Sequence, residues 1–305
     1  MESGVVSYYI YSKSFTSPAP PASSQPMPQH SFDKALHLEP AGSDRPNTWL
    51  GHTSAAYWNM VGPFGGSTAA TALQAVLLHP RLLGEPVSLT VNYASATAEG
   101  AFSITAVPVR TNRSTQHWVI SLNQPDTNGQ DTPVMTATAM TALRRDTWQQ
   151  NDMPMPTVPA PGTVPASGPR AGIEWFNRYD MRFVRGGIPE QRDATGQLGP
   201  DSLTQLWVRD AVPRPLDFTS LTAMADVFYP RVWLRRPLRV AAGTVSMTTY
   251  FHASASELQQ AGAGYVLAQA SAQAFRHGFF DQAAQLWSEA GTLLATSHQL
   301  VYFKE

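Results

Sequence analysis

The sequence contains no cysteine, and this absence removes several kinds of chemistry. It excludes disulfide bonds, catalysis by a thiolate nucleophile and metal sites built on cysteine sulfur. The eight histidines do not take over as metal ligands, because they are scattered without an H-x-H or H-E-x-x-H pairing. We therefore expect neither a metal centre nor a bound cofactor.

Charge of either sign is also scarce, since 14% of the residues are charged and the formal net charge is −1. This balance lacks the positive surface that binds nucleic acid or an anionic membrane, so neither is expected as a partner. No apolar run is long enough to span a membrane, and the N-terminal MESGVV has an acidic residue where a signal peptide has positive charge. We expect a cytoplasmic location.

Length and proline content divide the chain into parts. Its 305 residues, 43% of them hydrophobic, are enough for two domains with separate cores. Residues 1–32 are rich in serine and proline (SPAPPASSQPMPQ) and are predicted to form a disordered tail. A second proline-rich stretch, MPMPTVPAPGTVPASGPRAG, lies within a predicted extended linker at residues 147–172. The predicted domains are residues 33–146 and 173–305.

Both halves show the same order of elements. In the first half, apolar residues recur at helical spacing, and alternating strand-like segments separated by turn residues follow. The predicted elements are a helix at 67–78 and strands at 87–93, 101–109, 117–123 and 134–140. The second half repeats this order with a helix at 219–228 and strands at 244–252, 264–276 and 293–302. One helix followed by antiparallel strands, used twice, predicts a duplicated α+β unit.

The first helix is preceded by GPFGG at residues 62–66. Glycine lets other backbone approach a helix N-terminus closely, and the N–H groups at such an end can hold a carbonyl oxygen or an anion. Gly65 and Gly66 are therefore candidate substrate-binding residues. The alternative is that the glycines only form the turn into a packed helix.

Five segments, each present once, follow one another in a characteristic order along the two halves. They are GPFGG, NRSTQHW at 112–118, LTAMADVFYP at 221–230, TVSMTTYFH at 244–252 and GTLLATSHQ at 291–299. In this order and spacing, from about residue 33 to the C-terminus, they resemble the acyl-CoA thioesterase II family in its double-hotdog form. The resemblance implies an α+β fold of two tandem hotdogs, in which an antiparallel sheet wraps round each central helix. It also implies hydrolysis of an acyl-CoA substrate to a free fatty acid and CoA.

The resemblance further implies a catalytic site. In the family, an aspartate at the end of the second helix, a threonine at the start of the next strand and a glutamine on the last strand bind the hydrolytic water. By motif position these residues are Asp226, Thr244 and Gln299. Asp226 is the expected base, with Thr244 and Gln299 positioning the water. Burial raises the pKa of such a carboxyl, hydrogen bonds to it lower the pKa, and the sequence leaves open which effect is larger.

A comparison of the two halves supports this assignment from the residues themselves. Laying the segment 89–93 over 247–251 and Pro80 over Pro230 places a non-polar residue or proline opposite each candidate. The predicted opposite residues are Val76 for Asp226, Pro86 for Thr244 and Met140 for Gln299. A duplicated fold does not need polar side chains where its other copy has none. A single site in the C-terminal half is therefore predicted.

Other interpretations remain open at this point. The same residues would suit a hotdog hydratase acting on enoyl-CoA, or a non-catalytic module that only binds acyl-CoA. Arg113 is a candidate ligand for a CoA phosphate, although an arginine beside a turn asparagine is also typical of a solvated side chain. Open edges of hotdog sheets favour a homodimer.

Overall fold

Two similar units, each a helix packed against antiparallel strands, make up the chain. The structure is a computed structural model that describes residue 1 and residues 29–188, 198–236 and 239–304. Most of the predicted tail, at residues 2–28, lies outside the described residues. Within the described ranges, no helix is both long and apolar enough to cross a membrane.

The elements of the first unit precede residue 143 and those of the second follow residue 178. The first unit consists of α1 (Ser31–Ala35), β1 (Glu39–Pro40), β2 (Thr48–His52), α2 (Gly65–Leu77), β3 (Glu85–Tyr93), β4 (Ala101–Thr111), β5 (Thr115–Pro125) and β6 (Asp131–Ala142). The second consists of β7 (Tyr179–Arg185), β8 (Thr204–Asp210), α3 (Phe218–Met224), α4 (Val232–Arg235), β9 (Ala241–Phe251), α5 (Ala255–Ala261), β10 (Val266–Ser271), β11 (Phe275–Arg276), β12 (Phe279–Ser288) and β13 (Leu293–Lys304).

The strands of both units form one continuous antiparallel sheet. Its order is β1-β2-β4-β5-β6-β3-β9-β13-β12-β10-β8-β7, with the short β11 paired to β12. The second half of this order repeats the first half in reverse, and the two units join where β3 pairs with β9. The predicted α+β fold of tandem hotdogs is confirmed.

The register between β3 and β9 defines how the two units correspond. Thr90 lies opposite Thr248, and their hydroxyl oxygens are 3.0 Å apart. The pairing repeats symmetrically on either side, with Ser88 opposite Tyr250 and Asn92 opposite Ser246. A pseudo-twofold axis therefore passes between the two threonines, and each residue of β3 corresponds to the residue 158 positions later in β9.

Helices α2 and α3 pack against each other between the two units. Nearly every residue of α2 is buried, and all residues of α3 are buried, as expected for helices that are apolar on most of their faces. Helix α3 ends at Met224, four residues before the predicted end. The Asp226 N–H donates to the Ala223 carbonyl as the chain turns away, so Asp226 lies just beyond the helix.

The ends of the predicted tail and linker are more ordered than the sequence indicates. Helix α1 begins at Ser31 and buries Phe32 against Tyr57, with ring centroids 5.5 Å apart, so the predicted tail is wrong at its last residues. The proline-rich linker lies along the second unit, where Trp207 donates to the Pro159 carbonyl and Trp287 to the Met153 carbonyl. Its extended backbone is thereby fixed by indole donors.

Candidate active site

Asp226 and Gln299 meet where the two units join. The Gln299 amide, buried on β13, donates from Nε2 to Asp226 Oδ1 over 2.9 Å. The same nitrogen lies 3.3 Å from the sulfur of Met247 on the neighbouring strand β9. The structure therefore brings together the predicted acid and the predicted amide, which are 73 residues apart in the sequence.

Thr244 joins this pair through the amide. Its hydroxyl donates to Gln299 Oε1 over 3.4 Å, a long hydrogen bond. Within the described part of the chain, no hydrogen bond connects Thr244 directly to Asp226. Because the amide oxygen accepts from Thr244, the amide nitrogen is directed to the carboxylate. Thr244 thus orients Gln299, and Gln299 holds Asp226.

The N-terminus of α2 supplies a further donor to Asp226. Helix α2 begins after Phe64, whose side chain cannot cap it, and the N–H of Gly66 is close enough to Asp226 to lower the pKa of its carboxyl. The first N–H groups of a helix need an acceptor, and a negative charge there also interacts favourably with the helix dipole. A carboxylate from the second unit therefore caps the central helix of the first.

The two glycines at this end are explained by close contact. A Cβ atom on Gly65 would lie 2.8 Å from Asp226 Oδ2, and one on Gly66 would lie 2.6 Å from the Ala223 carbonyl oxygen. Neither position has room for a side chain without displacing the end of α3 or the carboxylate. The Asp226 carboxylate is the anion next to this helix end, and substrate binding by Gly65 and Gly66 stays a prediction.

Burial decides the protonation of the acid. Burial raises the pKa of Asp226 to about 7, and this effect exceeds the lowering by hydrogen bonds from Gln299 and Gly66. Part of the residue nevertheless stays accessible to solvent. At neutral pH such a carboxyl exchanges a proton readily, which suits it to act as a general base and then as an acid.

The register corrects one position of the sequence overlay. Gln299 pairs with Met247 and Ala139 pairs with the corresponding Leu89, so Ala139 rather than Met140 is the counterpart of Gln299. The corrected counterpart is also apolar. Asp226 lies beyond the end of α3 and outside the strands, so its predicted counterpart, Val76, stays a prediction. Pro86 remains opposite Thr244, because these residues are 158 positions apart.

Arg113 is not brought to this group. It is exposed in the turn between β4 and β5, just before Thr115. Gln299 is linked across the sheet, pair by pair, to Ile120 on β5. Ile120 lies five residues after Thr115, the first residue of that strand. At 3.4 Å per residue, that separation is about 17 Å along the sheet before any distance across it.

Tyr93 belongs to the site and is missed by the sequence analysis. It stands at the end of β3, and its hydroxyl donates to the Gly65 carbonyl over 2.8 Å. The signal was available in the overlay of 89–93 on 247–251, which places Tyr93 over Phe251, a residue without a hydroxyl.

Family profiles match both halves of the chain. The profile of the acyl-CoA thioesterase N-terminal domain matches residues 54–142, and that of the acyl-CoA thioesterase C-terminal domain matches residues 152–303. Together these matches span most of the described chain. A search of functionally curated proteins finds no significant match.

Solved structures with the same fold cover nearly the whole chain. A conserved protein of unknown function with a hot dog fold from Alicyclobacillus acidocaldarius shares 42% identity at a TM-score of 0.82, over 91% of this chain and 99% of that one. A protein from Thermobifida fusca YX, provisionally assigned as a thioesterase II, shares 20% identity at a TM-score of 0.74, over 91% and 99%. The acyl-CoA thioesterase II TesB2 from Mycobacterium marinum shares 16% at 0.67, over 90% and 98%. The last two establish the fold alone.

Proposed function

Because the chain belongs to the acyl-CoA thioesterase family and is a thioester hydrolase, we propose that it cleaves acyl-CoA to a fatty acid and CoA with Asp226 as the general base. The observation that carries the proposal is the hydrogen bond between Gln299 and Asp226 at the N-terminus of α2. It combines a carboxyl that titrates near neutral pH with donors that fix its orientation. The position lies at the junction of the two units.

In the proposed reaction, Asp226 accepts a proton from a water molecule as the water oxygen attacks the thioester carbonyl carbon. Gln299 and Thr244 position the water and the carboxylate. The tetrahedral intermediate then collapses, the carbon–sulfur bond breaks, and the proton on Asp226 passes to the leaving thiolate. One water is consumed, and one carboxylic acid and one thiol are formed, without a covalent enzyme intermediate.

The negative charge on the carbonyl oxygen needs a donor in the transition state. We propose the Gly65 N–H for this role, because the first N–H groups of α2 have no carbonyl partner within the helix and the Gly66 N–H already interacts with Asp226. The positive end of the α2 dipole supports negative charge at the same place. Arg113 is left out of the proposed site because of its distance along the sheet.

The test is release of free thiol from a panel of acyl-CoAs of different chain length, read with a thiol reagent. The expected result is turnover by the wild type that falls by about 100-fold or more in D226A, the range for loss of a general base. Turnover that survives D226A unchanged would remove Asp226 from the mechanism.

Two other outcomes of the same panel would favour other functions. Loss of enoyl absorbance without thiol release would indicate a hydratase, and tight acyl-CoA binding without turnover would indicate a binding module. A cytoplasmic location and a homodimer stay predictions.

A further inference from the structure

The hydroxyl of Tyr93 lies beside the proposed base. A Cβ atom on Gly65 would be 3.4 Å from the Tyr93 hydroxyl oxygen and 2.8 Å from Asp226 Oδ2, so the two oxygens flank the same point and are at most about 6 Å apart. This separation allows one water molecule to contact both oxygens. Tyr93 comes from the first unit, whereas the other three polar groups come from the second.

The fold itself does not require this hydroxyl. The residue that corresponds to Tyr93 across the pseudo-twofold axis is Phe251, which is buried and packs against Phe218 with ring centroids 5.5 Å apart. A phenyl ring is thus sufficient at this position of the sheet. The Tyr93 hydroxyl is a polar group that occurs only in the copy facing Asp226.

We infer that Tyr93 is a positioning residue for hydrolysis, which holds the first turn of α2 against Asp226 and places its phenol oxygen beside the attacking water. This inference rests on the proposed function. The hydroxyl donates its proton to the Gly65 carbonyl, and the N–H of the next residue, Gly66, interacts with the Asp226 carboxylate. The phenol oxygen keeps its lone pairs as acceptors for a proton of the water.

Electrostatics keep the phenol in the form that this role requires. Burial raises the pKa of Tyr93 well above its ordinary value, and the negative charge of Asp226 adds to the effect. Tyr93 therefore stays protonated through the range in which Asp226 titrates. Its proton remains on the hydrogen bond to Gly65, so the turn stays clamped whether or not Asp226 is charged.

The test compares Y93F with Y250F. Tyr250 is a matched control, because it stands on the adjacent strand β9 but is 51% exposed and faces away from the site. For Y93F we expect kcat of thiol release to fall about tenfold to a hundredfold, the value of one or two hydrogen bonds in a transition state, with KM within about threefold of wild type. For Y250F we expect no change in either constant.

Two further measurements separate positioning from a merely structural role. The acidic limb of the pH–kcat profile should move to higher pH in Y93F, because a phenyl group leaves Asp226 in less polar surroundings. Site-specific 3-fluorotyrosine at position 93, which keeps the hydroxyl, should restore kcat to within about twofold of wild type.

Several results would overturn the inference. An active wild type matched by Y93F in kcat would overturn it while leaving the proposed function intact. A fall in kcat that fluorotyrosine does not restore, or that is accounted for by a lower folded fraction in thermal melts, would also do so. A wild type that releases no thiol from any acyl-CoA would reject the proposed function itself.

Discussion

The N-termini of α2 and α3 occupy corresponding places in the two units, but they are built in opposite ways. Helix α3 begins with Phe218, whose ring fills the space beside Phe251, and Asp217 caps it in a capping box with Ser220. Helix α2 begins with Gly65 and accepts Asp226 from the other unit in place of a cap of its own. We call the N-terminus of α3 the closed end, because residues of its own unit cap it. We call the N-terminus of α2 the open end, because it is capped only by a residue of the other unit.

This difference shows how one duplicated unit can supply structure while the other supplies chemistry. A helix cap is worth about 0.5–2 kcal/mol, and both helices obtain one. At α3 the capping carboxylate is tied into an ion pair with Arg214 and its pKa is lowered, mainly by hydrogen bonds that outweigh the raising effect of burial. At α2 the Asp226 carboxyl forms no ion pair with the described residues, and burial raises its pKa to about 7. Both carboxylates cap a helix, but only Asp226 has a pKa near neutral pH, which suits it to proton transfer.

Among substitutions of the residues around Asp226, the largest expected effect comes from filling the open end. In G65A the new methyl group would lie 2.8 Å from Asp226 Oδ2, so the carboxylate must move. A displacement of about 1 Å at a reacting group costs about 100-fold, and we expect kcat/KM of thiol release to fall by that factor. The control is G162A, because a Cβ on Gly162 meets no atom within 4 Å. Equal activity of the two variants would show that the close approach is not needed.

Removing the amide should both slow the reaction and move its pH dependence. The hydrogen bond from Gln299 lowers the pKa of Asp226, so in Q299A that pKa rises above about 7. Because the base acts when deprotonated, the rising limb of the pH–kcat/KM profile should move to higher pH, and the plateau should fall about tenfold to a hundredfold. The control is Q285A, since Gln285 bonds to Gln269 on the other face of the sheet. A limb that stays in place in Q299A would contradict the assigned contact.

The smallest effect is expected at the closed end. D217A removes the cap of α3 and its bond to Arg214, so the free energy of unfolding should fall by about 1–2 kcal/mol in denaturant titrations. Thiol release per folded molecule should not change, because nothing at this end takes part in the proposed reaction. A fall in kcat larger than the loss of folded protein would mean that the N-terminus of α3 also contributes to catalysis.

The sequence predicts best what depends on local pattern. The first long helix is predicted at 67–78 and is found at Gly65–Leu77, since apolar residues at helical spacing give it a face that must be buried. The strands β3 to β6 were likewise predicted within a few residues. Strand β8 was missed because the buried positions at its two ends hold the polar residues Thr204 and Asp210, which leaves too short a hydrophobic alternation. The same holds for β12, where Gln282 is buried.

The site was predicted in its members but not in its contacts. Asp226, Thr244 and Gln299 follow from motif position and from the contrast between the two halves. The cap that Asp226 provides to α2 depends on how the units pack, which no local pattern encodes. The early end of α3, which frees Asp226 from the helix, depends on the same packing. Tyr93 was overlooked because tyrosine is an ordinary strand residue until its counterpart is seen to be phenylalanine.

The most direct test of the account is thiol release from an acyl-CoA by D226N, measured beside D217N. An asparagine oxygen still accepts a backbone N–H, so both variants keep a cap, and only D226N loses a proton acceptor. The account predicts that D226N loses about 100-fold or more in kcat while D217N stays within about twofold of wild type. Equal activity of the two variants would contradict the claim that the open end of this duplicated fold is the catalytic one.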